Sequence, residues 1–353
     1  MVRQEFLHTI KAGIEGNKLS FKEILFLLSS QEQEENELLW TAADRVRQNW
    51  VGDEIHLRGI VEFSNFCVQN CLYCGLRRDN HRLFRYRMST AEIVQAAQKD
   101  RSLGLPTIVL QSGEDPWFSQ DRLSDLIRDI KEQTNLTLTL AVGERGYADY
   151  YAWKKAGADR YLLKHETAST DLIKTLRPGH RLAGRLKALR WLRELEYEVG
   201  SGNMVGLPGQ TDEDLAADIQ LFGALNFDMI GIGPFIAHPQ TPLAAAGNGE
   251  LEKALKVLAI TRIITKDTNL PATTAMSVLK SEGQRKALLS GANVIMPNLT
   301  PPAYRCHYQV YPGKEHPTLE MEATKNVILT IGRRIGRGHG HRMRSRPALE
   351  LKE

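Results

Sequence analysis

The sequence predicts an α/β fold, a closed barrel of eight parallel strands with a helical extension before it. Three observations carry that expectation. From about residue 54, short β-branched runs alternate with longer amphipathic stretches, the pattern of parallel strands joined by helical crossovers. Eight such runs can be counted, and 353 residues accommodate a (β/α)8 TIM-type barrel of roughly 250 residues with extensions. Polar or glycine-containing residues follow each run, and in a closed parallel barrel those strand ends share one face, where active sites are built.

Residues 1–50 read as helices. Ser20-Phe21-Lys22-Glu23 has the form of a capping box, in which hydroxyl and carboxylate satisfy free backbone donors reciprocally. Behind it, Ile24, Leu25, Leu27 and Leu28 supply an apolar helical face, and Leu38, Leu39, Ala42 and Val46 repeat the device between Glu37 and Trp50. This region is expected to pack on the outside or bottom of the main domain. The strand expectations are His56–Glu62, Thr107–Gln111, Thr137–Val142, Arg160–Lys164, Glu198–Val205, Met229–Gly233, Ala272–Ala275 and Asn293–Met296. Between most of them lie helical patterns at Thr90–Leu103, Asp121–Gln133, Arg181–Glu196, Asp212–Leu225, Glu250–Thr265 and Gly283–Ser290. The expected organisation is a helical extension over 1–50, a barrel over 51–315 and a helical, basic tail over 316–353.

Composition is that of an ordinary globular enzyme, with 42% hydrophobic and 25% charged residues. A formal net charge of +4 is too mild to argue for nucleic acid. No run of about 18 apolar residues suggests a membrane span. No secretory leader is visible at Met1-Val2-Arg3-Gln4-Glu5, and four cysteines outside any disulfide framework fit a reducing cytoplasm.

Chemistry concentrates in Cys67-Val68-Gln69-Asn70-Cys71-Leu72-Tyr73-Cys74. This Cys-x3-Cys-x2-Cys spacing supplies three thiolates, whereas a structural zinc site wants four ligands. A four-iron cubane held by three cysteines keeps one iron open to a chelating ligand. Zinc completed by the distant Cys306 is the competing reading. Further candidates follow other strands: Ser112-Gly113-Glu114 after the second, His165-Glu166-Thr167 after the fourth, and Met204 with Val205 at the fifth. Taken singly, each has a competing reading: Glu114 as an acid at a helix N-terminus, Glu166 as a surface ion pair, and Met204 as core, which is the commoner role of such a methionine.

The cysteine run, with Tyr73 before its last member, resembles the radical S-adenosylmethionine (SAM) signature. The resemblance extends through Glu62-Phe63-Ser64-Asn65, Cys74-Gly75-Leu76-Arg77-Arg78, Gln111-Ser112-Gly113-Glu114-Asp115-Pro116 and Met204-Val205-Gly206-Leu207-Pro208-Gly209 to Gly291-Ala292-Asn293-Val294 and Tyr311-Pro312-Gly313-Lys314. These strings, in order over roughly residues 50–315, are similar to the HydE family of FeFe-hydrogenase maturases.

The resemblance implies a radical SAM barrel with one 4Fe-4S cluster on Cys67, Cys71 and Cys74, and SAM as cosubstrate. It implies SAM contacts from Tyr73, Gly113, Glu114, Glu166, Arg185 and Met204. It also implies an internal cavity lined by Arg58, Ser112, Thr139, Arg160, Met229, Thr273, Thr274, Met296, Tyr308 and Tyr311. The implied reaction is reductive cleavage of SAM to a 5′-deoxyadenosyl radical. Its implied substrate is a cysteine-bound iron carbonyl and cyanide complex, made by HydG-type enzymes, and HydG and HydF are the implied partners. Alternatives on the same chassis are methylornithine-synthase-like and biotin-synthase-like reactions; a zinc-binding scaffold is the alternative outside enzymes.

Two departures stand out. Some relatives carry a second cluster near the C-terminus, whereas this chain has no cysteine beyond Cys306 and places His316 in that neighbourhood. Lys164 stands where an arginine is expected, so it offers a point charge rather than a planar fork. The run from Arg333 to Arg346 is densely basic and lacks interleaved aromatics, which favours a solvated tail or a docking surface for an acidic partner over a nucleic-acid patch.

Overall fold

The computed structural model describes residues 1–314 and 321–343. The first barrel strand is broken at Arg58 into β1 (Glu54–Leu57) and β2 (Gly59–Ser64). β2 begins a six-stranded parallel sheet that continues in sequence order through β3 (Thr107–Ser112), β4 (Thr137–Ala141), β5 (Arg160–Leu162), β6 (Glu198–Val205) and β7 (Met229–Pro234). Near-continuous burial along β2, β3 and β7 is what a strand covered on both faces requires.

Single bridges carry the ring onward, from Met229 to Asn269 and from Pro271 to Val294. β8 (Val294–Ile295) then pairs with β1 through His56 and Leu57, and Asn298 bridges Ile60. The Ile230 N–H donates to the Asn269 carbonyl at 3.0 Å, and the Arg58 N–H to the Ile295 carbonyl at 3.0 Å. These bonds close the barrel. The strand expected over Ala272–Ala275 is corrected: pairing stops at Ala272, and the chain turns helical at Thr274 behind the N-cap Thr273. Pro271 also has no N–H to give to a ladder.

The N-terminal layer comprises α1 (Gln4–Glu15), α2 (Phe21–Ser29) and α3 (Gln33–Val51). The Ser20–Glu23 capping box forms, a device that contributes about 1 kcal/mol. Buried Glu35 ties the layer together; hydrogen bonding to the Arg3 guanidinium holds its carboxyl down to about 2. The crossover helices are α4 (Thr90–Ser102), α5 (Gln120–Thr134), α6 (Tyr147–Ala156), α7 (Thr170–Leu176), α8 (Leu182–Glu194), α9 (Asp212–Leu225), α10 (Leu251–Thr265), α11 (Thr274–Leu279) and α12 (Gly283–Leu288). Ser89, Ser119 and Thr211 cap α4, α5 and α9. α10 is buried nearly all round, because α1, α2 and α3 cover the side turned away from β6 and β7.

Beyond α13 (Pro302–Arg305) and α14 (Met321–Thr330), β9 (Arg334–Ile335) pairs with β1. The chain then crosses the N-terminal end of the barrel. The Gly340 carbonyl accepts from Arg58 Nη2 at 3.0 Å and Asn269 Nδ2 at 3.1 Å, and the His339 carbonyl accepts from Arg160 Nη2 at 2.8 Å. His341 meets Glu198, and Arg342 reaches Asp267 and the Phe227 carbonyl. The expected solvated tail or docking surface is therefore corrected in part: Arg333 and Arg342 are packed and ion-paired and residues 339–342 plug the barrel's base, while Arg334 and Arg337 stay exposed. Arg344, Ser345 and Arg346, like His316, lie outside the described residues.

Candidate active site

The C-terminal strand ends surround a cavity of about 370 Å³, within the range of small-molecule sites. It gathers Cys67, Cys71, Cys74, Tyr73, Gly113, Glu114, Glu166, Arg185 and Met204 on one wall system with Ser112, Met229, Thr273, Thr274, Met296, Tyr308 and Tyr311. Three expected members are elsewhere. Arg58, Thr139 and Arg160 line a separate small hollow nearer the plug, and Met229 borders both spaces. Arg58 leaves the first strand below the cavity floor, with Nη1 3.1 Å from Met229 Sδ. Burial, then the neighbouring Arg160 charge, draws its guanidinium down to about 9.

The cysteine loop leaves β2 and is fastened on several sides. The Val68 N–H donates to the Glu114 carbonyl at 3.0 Å and the Leu72 N–H to the Leu176 carbonyl at 2.9 Å. A side chain at Gly113 would put its Cβ 2.1 Å from the Phe66 carbonyl oxygen and 2.8 Å from Cys67 Cβ. Only glycine lets the second strand end approach the loop this closely. Burial pushes the Cys67 thiol up to about 11, and the Cys74 thiol is raised for the same reason. Thiolates here need a cation to balance them, which ligated iron supplies.

The donor set fits a cluster better than one ion. Among the described residues, no three His, Cys, Asp or Glu side chains converge as the ligands of a single metal would. Cys306, the fourth ligand of the zinc reading, is exposed and does not line the cavity.

Glu114 is positioned by four neighbours. Oε1 accepts the Glu144 N–H at 3.0 Å, Gln69 Nε2 donates to Oε2, and Arg177 Nη2 stands 4.0 Å from Oε1. Gly143, at φ 81°, passes so close that a Cβ there would lie 1.9 Å from Glu114 Cγ. Arg185 is buried beside Glu144 at 3.4 Å, but misaligned, so its Nε has no hydrogen-bond partner. An orphaned guanidinium donor at a cavity wall suits a ligand carboxylate.

Glu166 has φ 74°, a left-handed conformation that costs a side-chain-bearing residue about 1–2 kcal/mol. Its N–H donates to the Gly202 carbonyl at 3.1 Å and its carbonyl accepts the Met204 N–H at 2.9 Å. A network of buried side chains stands behind it. Asp218 accepts from Asn203 Nδ2 at 2.8 Å, His165 Nε2 at 3.2 Å and the Ala168 N–H. The Nε2–H tautomer of His165 is assigned from that carboxylate. Tyr73 and Met204 pack on an apolar cluster of Leu176, Leu207 and Phe235, a slot for a flat ring.

Arg177 and Lys314 were not singled out from sequence: Arg177 faces the cysteine loop and Lys314 pairs with buried Glu62, and both partners are remote in the chain, which leaves no local signal. Gln69 of the cysteine run also lines the cavity, as does Lys164, near Glu166, with its ammonium destabilised by burial.

Comparison with known proteins places this geometry. Residues 61–222 match the radical SAM superfamily. The chain is 50% identical over 90% of its length to the [FeFe] hydrogenase maturase subunit HydE of Thermotoga maritima, covering 92% of that protein. The chain belongs to the HydE family of FeFe-hydrogenase maturases. It is 28% identical to 3-methylornithine synthase of Methanosarcina acetivorans, over 80% of both proteins. The crystal structure of methylornithine synthase (PylB) superposes with a TM-score of 0.82 at 24% identity, covering 93% of this chain and 97% of that one. The maturase HydG from Carboxydothermus hydrogenoformans does so with a TM-score of 0.78 at 20% identity, covering 93% and 78%. Both likenesses speak to the fold, an α/β barrel of the radical SAM kind.

Membership of the HydE family makes this chain a radical SAM enzyme of hydrogenase maturation, using a 4Fe-4S cluster and SAM. No described helix is long and apolar enough to cross a membrane.

Proposed function

We propose that the chain cleaves SAM reductively and directs the resulting radical at a cysteine-bound iron carbonyl and cyanide complex during assembly of the FeFe-hydrogenase di-iron centre. The observation that carries this reading is one continuous cavity joining the three-cysteine loop to the hydroxyls and ammonium groups of the far wall. When bound, the reduced cluster and SAM supply a 5′-deoxyadenosyl radical.

The chain's residues do the rest. Cys67, Cys71 and Cys74 hold the cluster. Glu114 accepts the methionine ammonium of SAM, Arg185 offers its guanidinium to the carboxylate, and Glu166 accepts from the ribose hydroxyls. Met204 and Tyr73 give the adenine a dry slot. Ser112, Thr273, Thr274, Tyr308 and Tyr311 line the substrate's space, while Met229 and Met296 give soft apolar walls. Lys164 adds a point charge for an anionic substrate.

The hollow at Arg58, Thr139 and Arg160, about 10 Å³, has room for no more than about one water, which would meet the partnerless Arg58 Nε and Thr139 Oγ1. The plug closes the barrel's base below the cavity. A HydG-type enzyme as supplier and a HydF-type protein as recipient follow from the family's pathway, in a cytoplasmic setting.

The test is an anaerobic turnover with SAM, dithionite and the iron–cysteine complex. Formation of 5′-deoxyadenosine with stoichiometric consumption of the complex supports the proposal. Formation of 5′-deoxyadenosine at the same rate with the complex recovered intact would overturn the substrate assignment.

A further inference from the structure

Beyond standing 4.0 Å from Glu114, Arg177 has no part in the scheme above, yet its side chain is buried and aimed at the cysteine loop. It follows α7, whose last turn it ends with φ −129° and ψ 74°. Pro178 bars it from helical backbone, so the side chain turns inward. Nε donates to Cys71 Sγ at 3.4 Å. The adjoining Leu176 carbonyl accepts the Leu72 N–H, so this one turn grips both sides of the middle cysteine.

The choice of partner is unusual. Burying a guanidinium is costly unless it is paired and hydrogen-bonded. A neutral thiol is a weak acceptor, whereas a thiolate makes a charge-assisted bond. Glu114, the nearest carboxylate, is 4.0 Å away, beyond a hydrogen bond. The arrangement therefore becomes favourable when Cys71 is an iron-bound thiolate.

We infer that Arg177 raises the reduction potential of the cluster by holding a donor and a fixed positive charge against the Cys71 sulfur. One electron from an external reductant such as dithionite adds negative charge to the iron–sulfur unit. Hydrogen bonds and nearby charge at the sulfurs stabilise that reduced form more than the oxidised one. Arg177 is thus a positioning and tuning residue, acting through Cys71.

The inference rests on ligation by the three cysteines, and the experiment separates the two. Reconstituted parent, Arg177→Gln and Arg177→Lys are compared by iron and sulfide content and by an anaerobic redox titration followed by electron paramagnetic resonance (EPR). The expected result is a reduction equilibrium in Arg177→Gln shifted at least tenfold toward the oxidised cluster, 59 mV more negative for a one-electron couple. Arg177→Lys keeps the charge and is expected to fall between the two. Should Arg177→Gln fail to load its cluster, Arg177→Lys alone decides, again by a negative shift. An unchanged potential in a fully loaded variant overturns the inference while leaving the ligation intact. A parent with no cluster overturns the ligation instead.

Discussion

Replacing Asp218 by asparagine tests how the barrel holds its second carboxylate in place. The Asp218 side chain is wholly buried and accepts from three donors, Asn203 Nδ2, His165 Nε2 and the Ala168 N–H. Asparagine of the same shape keeps one acceptor oxygen and turns an NH2 toward the rest, so at least one buried donor loses its partner. Each such loss costs about 1–3 kcal/mol.

The consequence reaches Glu166, because Ala168 and Asn203 flank it in sequence and across the β-bridge. Freed from that frame, Glu166 relaxes out of its left-handed conformation and recovers about 1–2 kcal/mol of strain. The hydrogen bonds proposed from Glu166 to the SAM ribose, worth about 1.5–3 kcal/mol for a charged acceptor, would then be lost. Isothermal titration of SAM into anaerobically reconstituted protein is expected to show affinity ten- to a hundredfold weaker. A double-mutant cycle with Glu166→Ala should show strong coupling, since the two act through one group. If Asp218→Asn melts earlier but binds SAM as tightly as the parent, the network is only structural and the reasoning fails.

Other perturbations give further outcomes. Cys71→Ser is expected to abolish 5′-deoxyadenosine formation under dithionite, because the cubane loses a ligand; turnover at the parental rate would remove Cys71 from the set. Gly143→Ala drives a Cβ into Glu114 Cγ and strains a backbone at φ 81°, so SAM affinity should fall at least tenfold with cluster content retained. Truncation after Gly332 removes the plug and strips Arg58 and Arg160 of carbonyl partners, so thermal unfolding should move down by several degrees.

Asp100 supplies a pH test. Buried against Gly59 with neither oxygen hydrogen-bonded, its carboxyl is pushed up to about 8 by desolvation. Below its unfolded value, 3.8, both states are protonated and the group adds no pH-dependent cost. Between that value and about 8 the unfolded state releases the proton first, so stability falls by about 1.4 kcal/mol per pH unit. Asp100→Asn should therefore gain on the parent steadily from pH 5 to pH 8 in chemical unfolding. A constant difference would refute the assignment.

What could be read from the sequence follows the range of the interactions. The cysteine spacing is local and survives intact, as does the capping box at Ser20 and Glu23. The paired strands were legible because burial on both faces imposes β-branched runs. The seventh was not, since it reduces to bridges at Asn269 and Pro271. Arg177 bonds a sulfur 106 residues away and Asp218 a histidine 53 residues away, so neither leaves a pattern in its own neighbourhood.

The basic C-terminal run misleads for another reason. Its partners are largely backbone carbonyls and scattered acids, and charge density alone cannot distinguish a plug from a solvated tail. Arg58 and Arg160 were expected in the main cavity because resemblance carries residue identity without depth along the strand. Their positions near the strand starts put them below Met229 instead.

The most direct measurement is EPR of the dithionite-reduced, anaerobically reconstituted protein before and after SAM. Three-cysteine ligation with one open iron predicts a 4Fe-4S signal that changes when SAM is added and disappears in Cys71→Ser. A signal indifferent to SAM, or stoichiometric zinc with no iron–sulfur signal, would contradict it.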